Sequence, residues 1–398
     1  EPMFAGAAAR AEQARTYSPG SLRPETARAL YGAELHFSSS RIDVLAGCRF
    51  AHFLQYGLRA QEREPAEFDS RFYGTFVHDV LEYIVQQTER EGGFAAVPRS
   101  RVQELAQERM EQNAQTLLET FPDSGRTGYL LRRTFDEVTQ VVDELYDELS
   151  VSAFRPEFCE LEFSARGALP GVAFAGERCR GVVEGFVDRV DVWQSGGRPY
   201  VRVVDYKTGK KSFDYTNVLH GRGLQMLLYL FALVRQGGHL LHGEPLPAGV
   251  LYFPARIERV SVRDRLAQAE IEKERRKQLR RSGVLLNSDP VLEAMEPCGG
   301  SPRFLPYALD KEGRKTGDLA SFAQLAQLER FVFRTVAALG DELADGRIDP
   351  DPCIRDAKDS ACAFCPYSEV CAGHEQPRWL KKITAEEFWQ TLERREHG

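Results

Sequence analysis

No run of apolar residues approaches the roughly 18 needed to cross a membrane. No Gly-x4-Gly-Lys-Ser/Thr phosphate loop occurs, so no ATP site is expected, and no internal repeat is visible. The chain opens Glu1-Pro2-Met3-Phe4 with neither an initiator methionine nor the charged and apolar regions of a secretory leader, which predicts a piece of a longer polypeptide. Positive charge is in deficit. Fifty-two Lys and Arg against 59 Asp and Glu leave −7, which argues against a dedicated DNA-coating protein but leaves room for a local basic channel. Eight cysteines in 398 residues are too few and too unevenly spaced for a secreted disulfide scaffold. Three of them crowd into Cys362–Cys371, which points to metal in a reducing compartment. What remains is a globular composition, 42% hydrophobic and 28% charged, that excludes disordered and collagen-like classes. The length suits two or three units, or one large α/β domain with insertions.

Residues 1–27 read as a linker from a preceding region. Ser38-Ser39-Ser40 then caps a pair of short helices. Amphipathic patterns at 72–91, 101–120 and 128–148 predict a helical block, after which the period changes to that of strands. Strands are expected at 160–165, 181–193 and 200–207, the last two joined through Gly196-Gly197, in a small antiparallel meander. A buried helix over 217–236, a strand at 249–253 that 256–262 could join, a charged helix over 265–282, a long helix at 321–344 and a terminal one at 385–395 complete the pattern.

Chemistry concentrates where Val201-Arg202-Val203-Val204-Asp205-Tyr206-Lys207 runs into Thr208-Gly209. Asp205 and Lys207, two apart, project from one face of a strand. A lone Asp-x-Lys is usually a surface ion pair, but one hairpin away Asp188 and Asp191 interrupt another apolar strand. Converging buried carboxylates need a raised pKa or a divalent cation. Asp188 and Asp191 are three apart and face opposite sides, so Asp188 is expected to join Asp205 while Asp191 pairs with Arg189 or a neighbour. His78 stands within an apolar helical stripe, where a core histidine is the ordinary reading and a metal ligand the alternative. Gln225 and Tyr229 share a helix face, a spacing equally compatible with packing.

Taken in order, His78, the acids of Glu160-Leu161-Glu162-Phe163, Asp188, Asp205-Tyr206-Lys207, Gln225 and Tyr229 resemble the RecB-type PD-(D/E)XK nucleases, although Asp188 stands in Phe-Val-Asp where the family usually has Pro-Asp. The resemblance implies an α/β fold with a central mixed sheet flanked by helices, a helical insertion, and a divalent-metal phosphodiesterase activity. It implies that His78, Asp188, Asp205 and the Tyr206 carbonyl hold Mg²⁺ or Mn²⁺, that Lys207 orients or activates water, and that Glu160 is the added acid, with Glu162 as the alternative. Hard oxygen ligands suit those ions.

The triplet Cys362-x2-Cys365-x5-Cys371 requires a fourth ligand. Zinc completed by Cys353 or His374 is one reading, and an iron-sulfur centre is the other. Iron-sulfur RecB-type nucleases place one cysteine before the core and three after it, and Cys48 with Cys362, Cys365 and Cys371 matches, apart from Arg49 where proline is usual. That resemblance implies a 4Fe-4S cluster stapling the ends of a nuclease domain over residues 28–375. The helical block would fall at 72–148, the catalytic core at 157–262 and the clip at 353–375, with a tail helix in 376–398. Leu30-Tyr31-Gly32, Phe50-Ala51-His52-Phe53-Leu54, Gly249-Val250-Leu251-Tyr252-Phe253-Pro254 and Asp345-Gly346-Arg347-Ile348 are similar to the nuclease domains of the B subunits of AddAB helicase-nucleases. For that family the implied setting is bacterial, cytoplasmic and DNA-associated. The implied work is exonucleolytic trimming of single-stranded DNA, on the 5′-terminated strand, during double-strand-break resection and recombinational repair, with an AddA-like partner. A stand-alone iron-sulfur exonuclease of the CRISPR adaptation type and a catalytically silent DNA-binding scaffold are the alternatives. Cys159, Cys179, Cys298 and Cys353 read as ordinary core or surface residues. The basic run Arg275–Arg281 reads as a solvated helix face that could line a DNA path.

Overall fold

The computed structural model describes residues 6–10, 20–60, 70–120, 125–209, 212–257, 268–371 and 377–397. Its centre is an eight-stranded mixed sheet built around one 16-residue strand, β4 (Arg180–Ser195). The first half of β4 pairs in parallel with β1 (Leu35–Ser38) and antiparallel with β3 (Val172–Ala175). Its second half pairs antiparallel with β2 (Arg155–Phe163) and β5 (Arg198–Lys207). The sheet continues through β6 (Leu246–Pro254), β7 (Ser282–Leu286) and, after the β8–β9 hairpin (Tyr307–Leu309, Lys315–Gly317), through the short β10 (Leu319–Ala320). The mixed sheet flanked by helices is the fold expected from the sequence. Among the described residues no helix is long and apolar enough to cross a membrane.

Helices α1 (Pro24–Tyr31), α2 (Ser39–Gly47) and α3 (Arg49–His52) precede the helical block of α4 (Ser70–Arg90), α5 (Arg99–Thr120) and α6 (Gly125–Leu149). Ser38 caps α2 by accepting the Arg41 N–H at 3.2 Å, which satisfies one of the orphan donors of the first turn. Two short helices, α7 (Tyr215–Leu219) and α8 (Gln225–Gln236), follow β5. The single helix expected over 217–236 is thus broken, because Gly221 and Gly223 take positive φ of 79° and 68°, which ends one helix and redirects the chain. The charged helix is shorter than expected: α9 is Gln268–Gln278, and 282–286 forms β7 instead, whose apolar Val284, Leu285 and Leu286 are buried. The possible partner strand at 256–262 falls largely outside the described residues, and β6 pairs with β5 and β7. Helix α10 (Asp289–Met295), the long α11 (Phe322–Ala344), the β11–β12 pair (Cys353–Ile354, Arg378–Trp379) and α12 (Ala385–His397) complete the chain.

The described segments on either side of the core are tied into it. The Leu22 N–H donates to the Gly346 carbonyl at 2.8 Å, and α1 buries Ala27 and Tyr31. In α12, Phe388, Trp389 and Leu392 are buried, and Phe388 packs against Phe331 and Tyr215.

Charge in the core sets the register of the central strands. Arg189, Asp191 and Arg202 are fully buried. Arg189 Nε and Arg202 Nε donate to Asp191 at 2.8 and 2.7 Å, and Arg202 pairs with Glu148 of α6 at 3.0 Å. Arg281 also donates to Glu148, at 2.8 Å, and its guanidinium lies 4.1 Å from the centre of the Phe253 ring. Arg281 is therefore interior, and Arg280 donates to the Leu305 and Tyr307 carbonyls. Arg281 thus departs from the solvated face expected for the basic run, while Arg276, Lys277 and Arg280 stay exposed. Glu148→Ala removes the carboxylate that two buried guanidinium groups share and should destabilise the fold by about 3–5 kcal/mol. Chemical denaturation would measure it, and a loss under ~1 kcal/mol would show the network to be dispensable.

Candidate active site and metal centre

The site lies where β4 changes neighbours. Its pairing with β1 ends at Glu184 and its pairing with β5 begins at Arg189, so residues 185–188 border a notch between the two partner strands. The chain can open there because Gly185, at φ 153°, has no side chain: a Cβ would collide with the Tyr229 hydroxyl. Tyr229 of α8 donates to the Glu184 carbonyl at 3.4 Å and stacks on Phe163, with ring centres 4.9 Å apart.

Register aligns the acids. The pairs Cys159–Arg189 and Leu161–Val187 put Glu160 opposite Asp188, and the pair Arg189–Val204 puts Asp188 next to the level of Asp205. Asp205 is in turn the neighbour of Tyr252 on β6. Three carboxylates thus form one row across three strands. Glu160 adopts a left-handed backbone at φ 49°, which costs a non-glycine residue about 1 kcal/mol or more. His78 comes from α4, its Nδ1 3.4 Å from Asp188 Oδ2 and its ring edge-on to Tyr206. One ligand atom from each of His78, Glu160 and Asp188 lies within 4.8 Å of the others. Asp205 is held by an ion pair with Lys207, whose ammonium is 5.9 Å from the centre of the Tyr252 ring.

The electrostatics follow from this crowding. Burial first, then the negative charges of Asp188, Glu82 and Asp205, push the Glu160 carboxyl up to about 7. Burial and Asp205 raise Asp188 to about 6, against the opposing pull of His78, the Tyr206 N–H and Lys207. That N–H donates to Asp188 Oδ2 at 2.6 Å. Burial and the charge of Asp205 push the Tyr229 hydroxyl up to about 12. Carboxyls raised this way lose their protons more readily when a divalent cation binds than they ionise alone. Two hard oxygens and an imidazole suit Mg²⁺ or Mn²⁺.

Of the two candidate acids, the structure brings Glu160 to the cluster, whereas Glu162 accepts a hydrogen bond from Ser164 Oγ at 2.6 Å. Asp191 faces the buried arginines and not the site. Gln225 opens α8, half-buried, one turn before Tyr229. Glu82 and Tyr252 escaped the sequence reading. The His78-x3-Glu82 spacing, one helical turn, was a signal for the first. Nothing local marked Tyr252, which reaches the site only through parallel pairing with β5.

The cysteines segregate as well. Cys48 and Cys365 line one cavity of about 460 Å³ together with Gly47, Phe364 and Tyr367. Burial raises Cys48 to about 11, and burial together with the sulfurs of Cys365 and Cys371 raises Cys362 against a hydrogen bond from Ser360. Cys353 turns away into the core, where its Sγ donates to the Ala46 carbonyl at 3.3 Å. His374 lies outside the described residues, and among those described no disulfide occurs. Cys48 and Cys365 thus come to one cavity from opposite ends of the chain, a soft donor set that suits a thiolate-bound metal centre.

A mixed sheet with carboxylates in one row across adjacent central strands and a lysine beside them places the chain in a class defined by that core. It belongs to the PD-(D/E)XK nuclease superfamily, whose family model matches residues 36–372. Among curated proteins it is similar to the B subunit of the ATP-dependent helicase/deoxyribonuclease of Moorella thermoacetica, with 34% identity over 357 residues covering 88% of this chain and 31% of that protein. It is likewise similar to the same subunit of Caldanaerobacter subterraneus subsp. tengcongensis, at 31% over 366 residues (87% and 30%), and of Thermoanaerobacter sp. strain X514, at 29% over 379 residues (92% and 33%). The chain spans about a third of the length of these relatives.

Glu160 and Asp188 bind protons more tightly in the folded site than in an unfolded chain. Without a cation their contribution to stability therefore falls as pH rises, from the ordinary 4.5 to about 7 for Glu160 and from 3.8 to about 6 for Asp188. A bound cation removes that penalty. Mn²⁺ or Mg²⁺ should raise the thermal midpoint more at about pH 8 than at about pH 5.5, and Asp188→Asn should abolish the difference. An equal rise at both values would disprove cation binding at these carboxyls.

Proposed function

We propose that this chain is the nuclease module of a bacterial helicase-nuclease and hydrolyses phosphodiester bonds of single-stranded DNA with a divalent cation, Mg²⁺ or Mn²⁺. The observation that carries this reading is the convergence of His78, Glu160 and Asp188 within 4.8 Å, beside the Asp205–Lys207 pair. His78, Glu160 and Asp188 hold the cation, with Asp205 and the Tyr206 carbonyl as further oxygens. When bound, the ion supplies charge at a non-bridging phosphate oxygen and a more acidic water. Lys207 Nζ donates to the attacking water and the developing phosphorane charge, and Asp205 fixes the direction of that ammonium. The Tyr206 N–H holds Asp188 in place, and Tyr229, packed against Gly185, keeps the notch open. Gln225 stands beside the reacting strand on the same helix face.

The similarity to helicase/deoxyribonuclease B subunits supports a role in double-strand-break end resection with an AddA-like motor partner, acting on the 5′-terminated strand in the cytoplasm. Residues 28–375 would form the nuclease domain, with a 4Fe-4S cluster on Cys48, Cys362, Cys365 and Cys371 as its clip. With net charge −7 the chain alone holds DNA weakly, and the partner supplies processivity.

Asp205→Ala should abolish cation-dependent cleavage of single-stranded DNA. Lys207→Ala should keep cation affinity, read by calorimetry, while losing roughly 10²–10³-fold in rate. Cleavage by purified Asp205→Ala at the wild-type rate would remove the proposed site. For the clip, protein purified without oxygen should contain iron and acid-labile sulfide in equal amounts. Cys48→Ala should lose both and Cys353→Ala neither. Stoichiometric zinc without iron would refute the cluster.

A further inference from the structure

A second concavity, of about 300 Å³, opens beside Lys207 and shares Ser212 and Tyr252 with the cavity at the clip. Lys207, Arg256 and Arg280 line it together with Thr208, Ser212 and Gln278, and among the described residues no carboxylate does. In a chain with seven surplus negative charges, a wall of three cations and hydroxyls free of acids is complementary to phosphate.

The three cations are not equivalent. Lys207 is paired with Asp205, and the Arg280 guanidinium is spent on the Leu305 and Tyr307 carbonyls, so both contribute fixed charge. Arg256 is exposed and stacks over Tyr73, 4.9 Å from its ring centre. Among the described residues no carboxylate pairs with it. A guanidinium stacked on a ring is held in plane with its donor edge directed outward, the arrangement that forks two oxygens of one phosphate. A nucleotide offers the complement, phosphate oxygens for the cations.

We infer that this groove seats the nucleotide flanking the scissile bond, with Arg256 clamping its phosphate. The inference rests on the nuclease reading above and adds a binding residue to it. The groove lies on the Lys207 side of the carboxylate row, so a strand lying in it passes its next phosphodiester to the site.

The test is fluorescence anisotropy of labelled oligo-dT and mixed-sequence single strands with the purified chain in EDTA, where nothing is cleaved, over a range of salt. Arg256→Gln should weaken both ligands equally, by roughly fivefold to tenfold, and flatten the slope of log Kd against log salt by about 0.7. Arg256→Lys should keep the slope and recover part of the affinity. Arg394→Gln, on α12, should match wild type. Under cleavage conditions Arg256→Gln should raise KM and leave kcat near its original value. Unchanged affinity and slope in Arg256→Gln would overturn the inference, and so would an equal loss in Arg394→Gln, which would show only generic charge. Because Arg256 is exposed, the variants should melt with wild type. Binding that depends on Arg256 in a protein that never cuts DNA with Mg²⁺ or Mn²⁺ would overturn the nuclease reading and leave the groove standing. Normal cleavage with unaltered binding by Arg256→Gln would overturn the groove alone.

Discussion

The molecule depends on a set of charges that water never reaches. Arg189 and Arg202 project from the middle of the two central strands and share Asp191, while Glu148 on α6 answers Arg202 and Arg281. Such pairs contribute little net stability relative to apolar residues of the same size, because their desolvation cancels most of the attraction. They contribute specificity. A slip of one residue between β4 and β5 would bury guanidinium groups without partners, at a cost no core of this size tolerates. The same network reaches the site: Arg189 Nη1 donates to the Tyr206 hydroxyl at 3.0 Å, and the Tyr206 N–H holds Asp188. Order in the interior is thereby transmitted to the carboxylate that most needs positioning.

Against that rigid floor the site itself is held in an unfavourable state. Three carboxylates stand in one row, one of them on a left-handed backbone, and two have raised pKa values. Lys207 offsets Asp205 and leaves Glu160 and Asp188 to repel each other. Such strain is tolerated when the surrounding fold fixes it and a ligand relieves it. A divalent cation would meet that need, and its binding free energy would become folding free energy for this corner of the sheet.

The two ends of the domain meet by ionic contacts as well as at the cysteines. Arg49, which follows Cys48, donates to Asp351 at 2.7 Å and also pairs with Glu342, and Arg378 donates to the Ala46 carbonyl at 2.6 Å. The position where related nucleases usually carry proline thus holds a buried cation that joins segments about 300 residues apart. A cluster on the four thiols would lock a junction already aligned by charge.

Much of this was legible in the sequence because it is local or periodic. The alternation of β4 and β5 determines which side each acid faces, which separates Asp188 from Asp191, and the two-residue spacing of Asp205 and Lys207 puts them on one face. The cysteine triplet was equally visible. Local patterns could not show where a chain turns out of its period. Gly221 and Gly223 broke a helix that apolar spacing alone would continue, and 282–286 became a strand because β6 offered a buried edge. Nor could they separate Arg281, which enters the core, from Lys277, which stays exposed on α9 in the same basic run. The choice of Glu160 over Glu162, the arrival of Tyr252 beside Lys207 and the groove around Arg256 were decided by tertiary structure. Each depends on register between strands far apart in the chain, which packing sets and sequence spacing does not encode.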